Sequence, residues 1–192
     1  MNTGSNPVRV AFTSFCRHLR LPPRLLPRRT AAILGVALCL AGCADTPPYR
    51  YEYIPGRTAT LNADGTASTP PLAPLAVRAA IAAGNEIAGS PYQYGGGHGE
   101  RQGGFDCSGA TSYVLRGAGR LRGSMPSEDF RSYGEGGPGR WISVYARDGH
   151  VFLVVAGLRF DTGYTGRQNS GPQWTRRPRP ADGCVVRHPA GL

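Results

Sequence analysis

No lysine occurs among the 192 residues; all 22 basic side chains are arginine. This uniformity reads as coding bias more than as a chosen surface chemistry, and no function follows from it. Without lysine, the glycine-rich stretch 95–104 cannot complete GxxxxGK[ST], so a phosphate-binding loop of that kind is excluded. No internal repeat is evident, and no apolar run is long enough to span a bilayer with ease. Acidic residues are missing from the first 43 positions: all twelve lie beyond Cys43, while six arginines precede it. The formal charge of +10 therefore falls to 16 − 12 = +4 after Cys43, and part of the basicity belongs to the leader. Arg176-Arg177-Pro178-Arg179 is a short run beside prolines, without aromatic interleaving, so nucleic acid is not expected as a partner. Cysteine is scarce, with five in all. Of these, Cys107 and Cys184 have no second ligand at zinc spacing, and neither a metal nor another cofactor is expected.

What is present divides the chain into three. Residues 1–42 combine an Arg-rich start, an apolar run from Thr30 to Leu40 and small residues at a cut, which is the pattern of a signal peptide. Leu40-Ala41-Gly42-Cys43 is similar to a bacterial lipobox, which implies acylation of Cys43 and anchoring on a membrane surface. Ala44, lacking the aspartate that often retains such proteins at the inner membrane, leaves an outer-membrane destination open. Residues 43–73 are rich in Pro, Thr and Ala with no sustained period, and read as a flexible tether, although the alternation of Tyr49, Tyr51 and Tyr53 is also compatible with a short added strand. Residues 74–192 are long enough for one domain with a core. Its first element is a helix over about 74–88, with Val77, Ala80, Ile81, Gly84, Ile87 and Ala88 on one face.

The chemistry centres on Gly104-Phe105-Asp106-Cys107-Ser108-Gly109. Apolar spacing at Ala110, Val114, Leu115 and Ala118 predicts a helix from about Cys107 to Ala118, capped by Asp106. A cysteine in that first turn meets unpaired N–H groups and the positive end of the helix dipole, which favour thiolate over thiol. Cys107 is therefore the candidate nucleophile rather than a buried small hydrophobe. Downstream, His150 begins an apolar run that reads as two strands joined by a two-residue turn at Ala156-Gly157. In that register even positions before the turn share a face with odd positions after it, so His150 and Asp161 point the same way as base and orienter. Asn169 and His188 are the lesser alternatives for the orienting role.

These residues carry a resemblance. Gly89-Ser90-Pro91-Tyr92-Gln93-Tyr94-Gly95-Gly96, the Phe-Asp-Cys-Ser-Gly block and Gly149-His150-Val151 occur in the order found in the NlpC/P60 family of bacterial cell-wall cysteine peptidases. The segment from about Val77 to Val186 resembles that family. The resemblance implies an α+β, papain-like fold with the nucleophile helix packed on an antiparallel sheet. It also implies hydrolysis of peptidoglycan stem peptides, between D-γ-glutamate and a diamino acid, by an enzyme of the cell envelope facing the periplasm. Peptidoglycan would be the partner, and an Arg-rich surface would also suit an anionic wall polymer. By family position Tyr92 stands near the nucleophile and helps hold the oxyanion or substrate, and Asp106 and Ser108 contact the substrate. The family's usual third residue is His, sometimes Asn or Gln, so Asp161 is a departure, as is Pro138-Gly139-Arg140 in place of an acidic Pro-Gly-Asp segment. Two other readings of the same fold are a catalytically silent wall-binding lipoprotein and a Cys-His acyltransferase; protein activators are compatible with any wall-lytic enzyme.

The remaining expectations are blander. His98, in the glycine-rich loop, is compatible with a flexible substrate contact, but without an evident orienter it reads as a solvated residue. The stretch 125–139 reads as a surface connection with a helix start open at Ser127-Glu128-Asp129-Phe130, 141–145 as a strand, 162–180 as turn-rich, and 184–186 as a last strand. Cys16 and Cys39 leave with the leader, which leaves Cys184 as a buried free thiol, since a disulfide to Cys107 would silence the nucleophile.

Overall fold

In the computed structural model the described residues are 46–99, 103–163, 165–166 and 170–192, all within the unit Ala44–Leu192. The apolar period after Pro74 forms helix α1 (Leu75–Ile87), which buries Val77, Ala80, Ile81 and Ile87. Gly84 lies on the same face, and a Cβ there would run into the Trp174 indole, so the ring packs directly on the helix backbone. Helix α2 (Cys107–Gly117) is capped by Asp106, whose carboxylate accepts from the Gly109 N–H. The described residues also hold eight short strands: β1 (Thr60–Leu61), β2 (Ala67–Ser68), β3 (Glu135–Gly136), β4 (Ile142–Arg147), β5 (His150–Val155), β6 (Leu158–Thr162), β7 (Pro172–Thr175) and β8 (Val185–His188). The last six form one antiparallel sheet in the order β3-β8-β4-β5-β6-β7. The architecture is mixed α+β with antiparallel sheets.

The β5–β6 register decides which side chains can meet. Val155 pairs with Leu158 and Leu153 with Phe160, leaving Ala156-Gly157 as a two-residue loop. Both loop residues have positive φ, 46° and 75°, as a turn of the primed type requires. Val151, Leu153 and Val155 join Val144, Leu158 and Phe160 in the main core with Val77, Ile81, Val114 and Leu115 of the two helices. His150, Phe152 and Asp161 belong to the opposite face.

That second face corrects the expected tether. Residues 46–73 do not run free; they lie on the domain. Tyr49 is buried in a smaller cluster with Phe152, Ala181 and Cys184. Its backbone exchanges hydrogen bonds with Arg179 at 2.9 and 3.1 Å, and its hydroxyl donates to the Gly157 carbonyl at 2.9 Å. Ala59, Ala67 and Ala73 reach the main core, and the Asn85 side chain of α1 bonds both backbone groups of Ala67. The physical reason is that the two helices among the described residues cover one face of the sheet, so irregular chain covers the second, and such a cover has no period to detect. The domain boundary moves from 74 back to 46 or earlier.

Two smaller differences follow from strand length. Within the stretch read as turn-rich, β7 pairs with β6 and places Trp174 opposite Phe160. It is four residues long and opens with proline on an edge, where no ladder N–H is required. In the expected surface connection, a 3-10 turn (Asp129–Ser132) buries Phe130, and β3 pairs with the end of β8.

Candidate active site

Cys107 is the first residue of α2, held in place from both sides of its chain. Upstream, Tyr92 and Phe105 form a parallel bridge, with Phe105 N–H donating to Pro91 and Gln93 N–H to Phe105. This bridge sets Tyr92 beside the segment that leads into Cys107. Downstream, the Asp106 cap starts the helix at the sulfur-bearing residue, so the helix N-terminus backs the thiol.

His150 enters from the sheet. Its Nε2 lies 2.9 Å from Asp161 Oδ1, and the Cys107 thiol stands close enough to act on the ring's charge. With Nε2 committed to the carboxylate, Nδ1 is the nitrogen left for sulfur. Burial works against a charged ring here, but the hydrogen bonds and charges of Asp161 and Cys107 outweigh it and hold the imidazole up at about 9. Asp161 is wholly buried and is itself gripped from behind: the Arg159 guanidinium bonds Oδ2, and Arg179 Nε lies 3.6 Å from the same oxygen. Arg159 is two residues from Asp161 on β6 and so shares its face, a relation the strand period makes visible; Arg179 comes from a loop and carries no such signal. Both were missed as part of the site.

The cleft at the sulfur, about 240 Å³, is lined by Tyr92, Tyr94, His98, Asp106, Ser108 and Glu128 among others. Tyr92 is half exposed, and burial, followed by the negative charges of Cys107 and Asp106, pushes its hydroxyl up from the usual tyrosine range, so it remains an O–H donor at neutral pH. Ser108 is buried and its hydroxyl donates to Asp106 Oδ1 at 2.9 Å. The solvated reading of His98 is corrected: its Nε2 lies 3.2 Å from Asp106 Oδ1 and 3.0 Å from Ser108 Oγ. The glycines around it let the loop lie against α2, a packing that no period in the sequence announces.

No family model, curated protein or solved structure matches this chain. The chemistry is therefore read from the geometry of the site.

Of the lesser alternatives for the orienter, His188 lies on β8, where it contacts Glu135 at 3.2 Å and the Gly137 carbonyl at 3.0 Å, away from His150. Asn169 and Cys43 lie outside the described residues. Cys184 is a buried free thiol whose burial pushes it up from the ordinary cysteine range. Another cavity, about 340 Å³, opens between the N-terminal arm and β4–β5, lined by Tyr49, Arg57 and Tyr145, and holds none of the reactive groups. Among the described residues no cluster of three or more His, Cys, Asp or Glu could hold a metal ion, and no helix is long and apolar enough to cross a membrane.

Proposed function

We propose that the chain is a cysteine hydrolase of the NlpC/P60 type that cleaves amide bonds in peptidoglycan stem peptides, between D-γ-glutamate and a diamino acid. The observation that carries this reading is the relay from Cys107, at a helix N-terminus, through His150 to the buried Asp161. A nucleophile helix packed on an antiparallel sheet whose strand carries the histidine also supports a papain-like assignment of the fold.

In the reaction the Cys107 sulfur attacks the amide carbonyl, and the His150 imidazolium gives its Nδ1 proton to the leaving amine. The acyl chain is then bound to sulfur as a thioester. Neutral His150 next takes a proton from water, whose oxygen attacks the thioester and releases the acid. Asp161, held by Arg159, fixes the ring and stabilises its charged form. The backbone N–H of Cys107, with the Tyr92 hydroxyl near it, donates to the oxyanion; one such donor typically contributes roughly 10² to 10³ in rate. The cleft is lined by polar side chains, which suits a peptide better than a long acyl chain. Acylation at Cys43 would place the enzyme on a membrane of the cell envelope, facing the wall from the periplasm.

The test is digestion of purified peptidoglycan by the full chain in detergent, beside Cys107→Ala, with mass spectrometry of the soluble products. Fragments cut within the stem peptide and absent with Cys107→Ala are the expected result. Retained wall binding without fragments, and without alkylation of Cys107, would replace this reading with a silent wall-binding protein. Alkylation without cleavage would favour acyl transfer or a required activator.

A further inference from the structure

The arm over the second sheet face limits how far the domain can stand from whatever holds its N-terminal end. Thr46 Oγ1 donates to the Cys184 carbonyl at 2.7 Å, and Tyr49 exchanges both backbone hydrogen bonds with Arg179. The chain is thus fixed to the domain from Thr46 onward, and Thr46 is the third residue after Cys43. Three residues span at most about 11 Å at full extension. An acyl group on Cys43 would have no long spacer behind it, so the side of the domain beside Thr46 would lie against the bilayer.

Pro47 and Pro48, the next two residues, line the cavity of about 340 Å³ between the arm and β4–β5, and its chemistry differs from that of the catalytic cleft. Arg50, Arg57 and Arg140 line it with a single acid, Glu52. None of the three arginines is in an ion pair among the described residues. Arg57 lies over the Trp141 ring, 5.4 Å from its centroid, which brings its charge beside Arg140. Exposed aliphatic side chains border these charges. Ile54 lines the cavity and is 45% exposed, and Leu72, 64% exposed, lies against the same turn, where a Cβ on Gly56 would stand 3.1 Å from Leu72 Cδ1. Backbone hydrogen bonds of 3.0 Å hold the turn: the Ile54 carbonyl accepts from Arg57 and Thr58, and the Gly56 carbonyl accepts from Leu72. Excess guanidinium charge beside exposed aliphatic groups matches the two layers that a membrane surface offers, phosphates outside and hydrocarbon beneath.

We infer that this face docks on an anionic membrane surface: Arg50, Arg57 and Arg140 take the phosphates of lipid headgroups, and Ile54 and Leu72 enter the boundary between headgroups and acyl chains. The inference rests on the reading of Cys43 as the acylated residue, which supplies the anchor, while the face itself consists of described residues. Docked in this way the domain is held at the bilayer instead of being carried away from it on a stalk.

Vesicle sedimentation tests the face apart from the anchor. The full chain carrying Cys43→Ser, which cannot be acylated, is mixed with vesicles of equimolar phosphatidylcholine and phosphatidylglycerol, and with phosphatidylcholine alone. Every variant keeps the leader, so its contribution cancels in the comparison. An arginine at an anionic surface contributes roughly fivefold to binding, so glutamine at positions 50, 57 and 140 together should lower the partition coefficient on the anionic vesicles about a hundredfold. Lysine at the same three positions keeps the charge and should stay within about threefold of the parent; a loss as large as that with glutamine would overturn the proposal. Glutamine in place of Arg116, Arg120 and Arg122, at the end of α2, removes the same formal charge elsewhere and should cost less than about threefold, because salt screens charges more than about 10 Å away. Equal losses in the two glutamine variants would reduce the effect to net charge and overturn the docking face, as would an equal loss on phosphatidylcholine alone. A variant at 50, 57 and 140 that still holds the anionic vesicles but no longer binds purified peptidoglycan would assign the arginines to the wall instead. Mass spectrometry of the parent chain extracted from membranes checks the anchor separately: an unmodified Cys43 would overturn the anchor alone, and the face would stand or fall on the vesicles.

Discussion

Two histidine–carboxylate pairs flank Cys107, and they are built in opposite ways. His150 and Asp161 come from adjacent strands, with side chains 15% and 0% exposed, and the far oxygen of the carboxylate rests on the Arg159 guanidinium. His98 and Asp106 come from a loop and a helix cap, with side chains 28% and 10% exposed, and the far oxygen of that carboxylate rests on a backbone N–H. The first histidine feels the sulfur's charge; the second is bonded to the residues on either side of it. A buried carboxylate backed by a cation holds a ring rigidly and in its charged form, which suits proton transfer. A capped carboxylate in a wetter wall, covered by a loop histidine, suits recognition. Similar residue types thus divide into two duties according to what stands behind each acid.

The largest expected contrast is in turnover. His150→Ala should lower kcat on peptidoglycan fragments by about 10² to 10⁴, the usual range for loss of a general acid–base. His98→Ala should leave kcat within about tenfold and act mainly through KM, since recognition is spread over several contacts. Equal losses of kcat in the two variants would erase the division of duties.

Stability should separate the pairs next. Arg159→Met takes from a buried carboxylate the nearer of its two guanidinium partners, leaving Arg179, and is expected to cost about 3 kcal/mol, measured by urea unfolding. The backbone N–H behind Asp106 cannot be removed by a side-chain change, so the matching substitution at the wetter pair is His98→Gln. It should cost less than about 1 kcal/mol, because the bond it alters is partly solvated.

The pH dependence of unfolding has a definite sign. The folded value of His150, about 9, lies above the ordinary 6.5, so the stability it adds is complete below about pH 6.5 and is lost as the pH rises through 9. Urea midpoints should therefore decline between those values. His150→Gln should flatten that decline and His98→Gln should preserve it.

The smallest effect tests the arm. Tyr49→Phe removes the hydroxyl bond to the Gly157 carbonyl and should cost about 1 kcal/mol, read as a lower midpoint. A chain indifferent to this change would argue that the arm rests on the domain without supporting the β5–β6 turn behind Asp161.

The strand-borne pair was legible because it is local. A two-residue turn leaves one parity for the β5–β6 hairpin, so His150 and Asp161 share a face whatever surrounds them, and a helix starting at Cys107 follows from the Asp106 cap and the 3.6-residue spacing beyond it. The loop-borne pair was not, since glycines permit many backbone paths and their close packing on α2 is not encoded by any period. The same reason hid the arm. Tyr49, Ala59 and Ala67 are buried by irregular chain, and in a Pro- and Thr-rich stretch nothing distinguishes cover from tether.

Local chemistry in the chain alone therefore set the two described helices, the central hairpin and the candidates for nucleophile, base and acid, because each depends on neighbours a few positions away. Tertiary packing alone decided that Arg159 and Arg179 stand behind Asp161, that Tyr49 closes over the second sheet face, and that His98 sits on Asp106. Those contacts join residues from separate segments, and they form only once burial makes an unpartnered carboxylate or an uncovered apolar face too costly to leave.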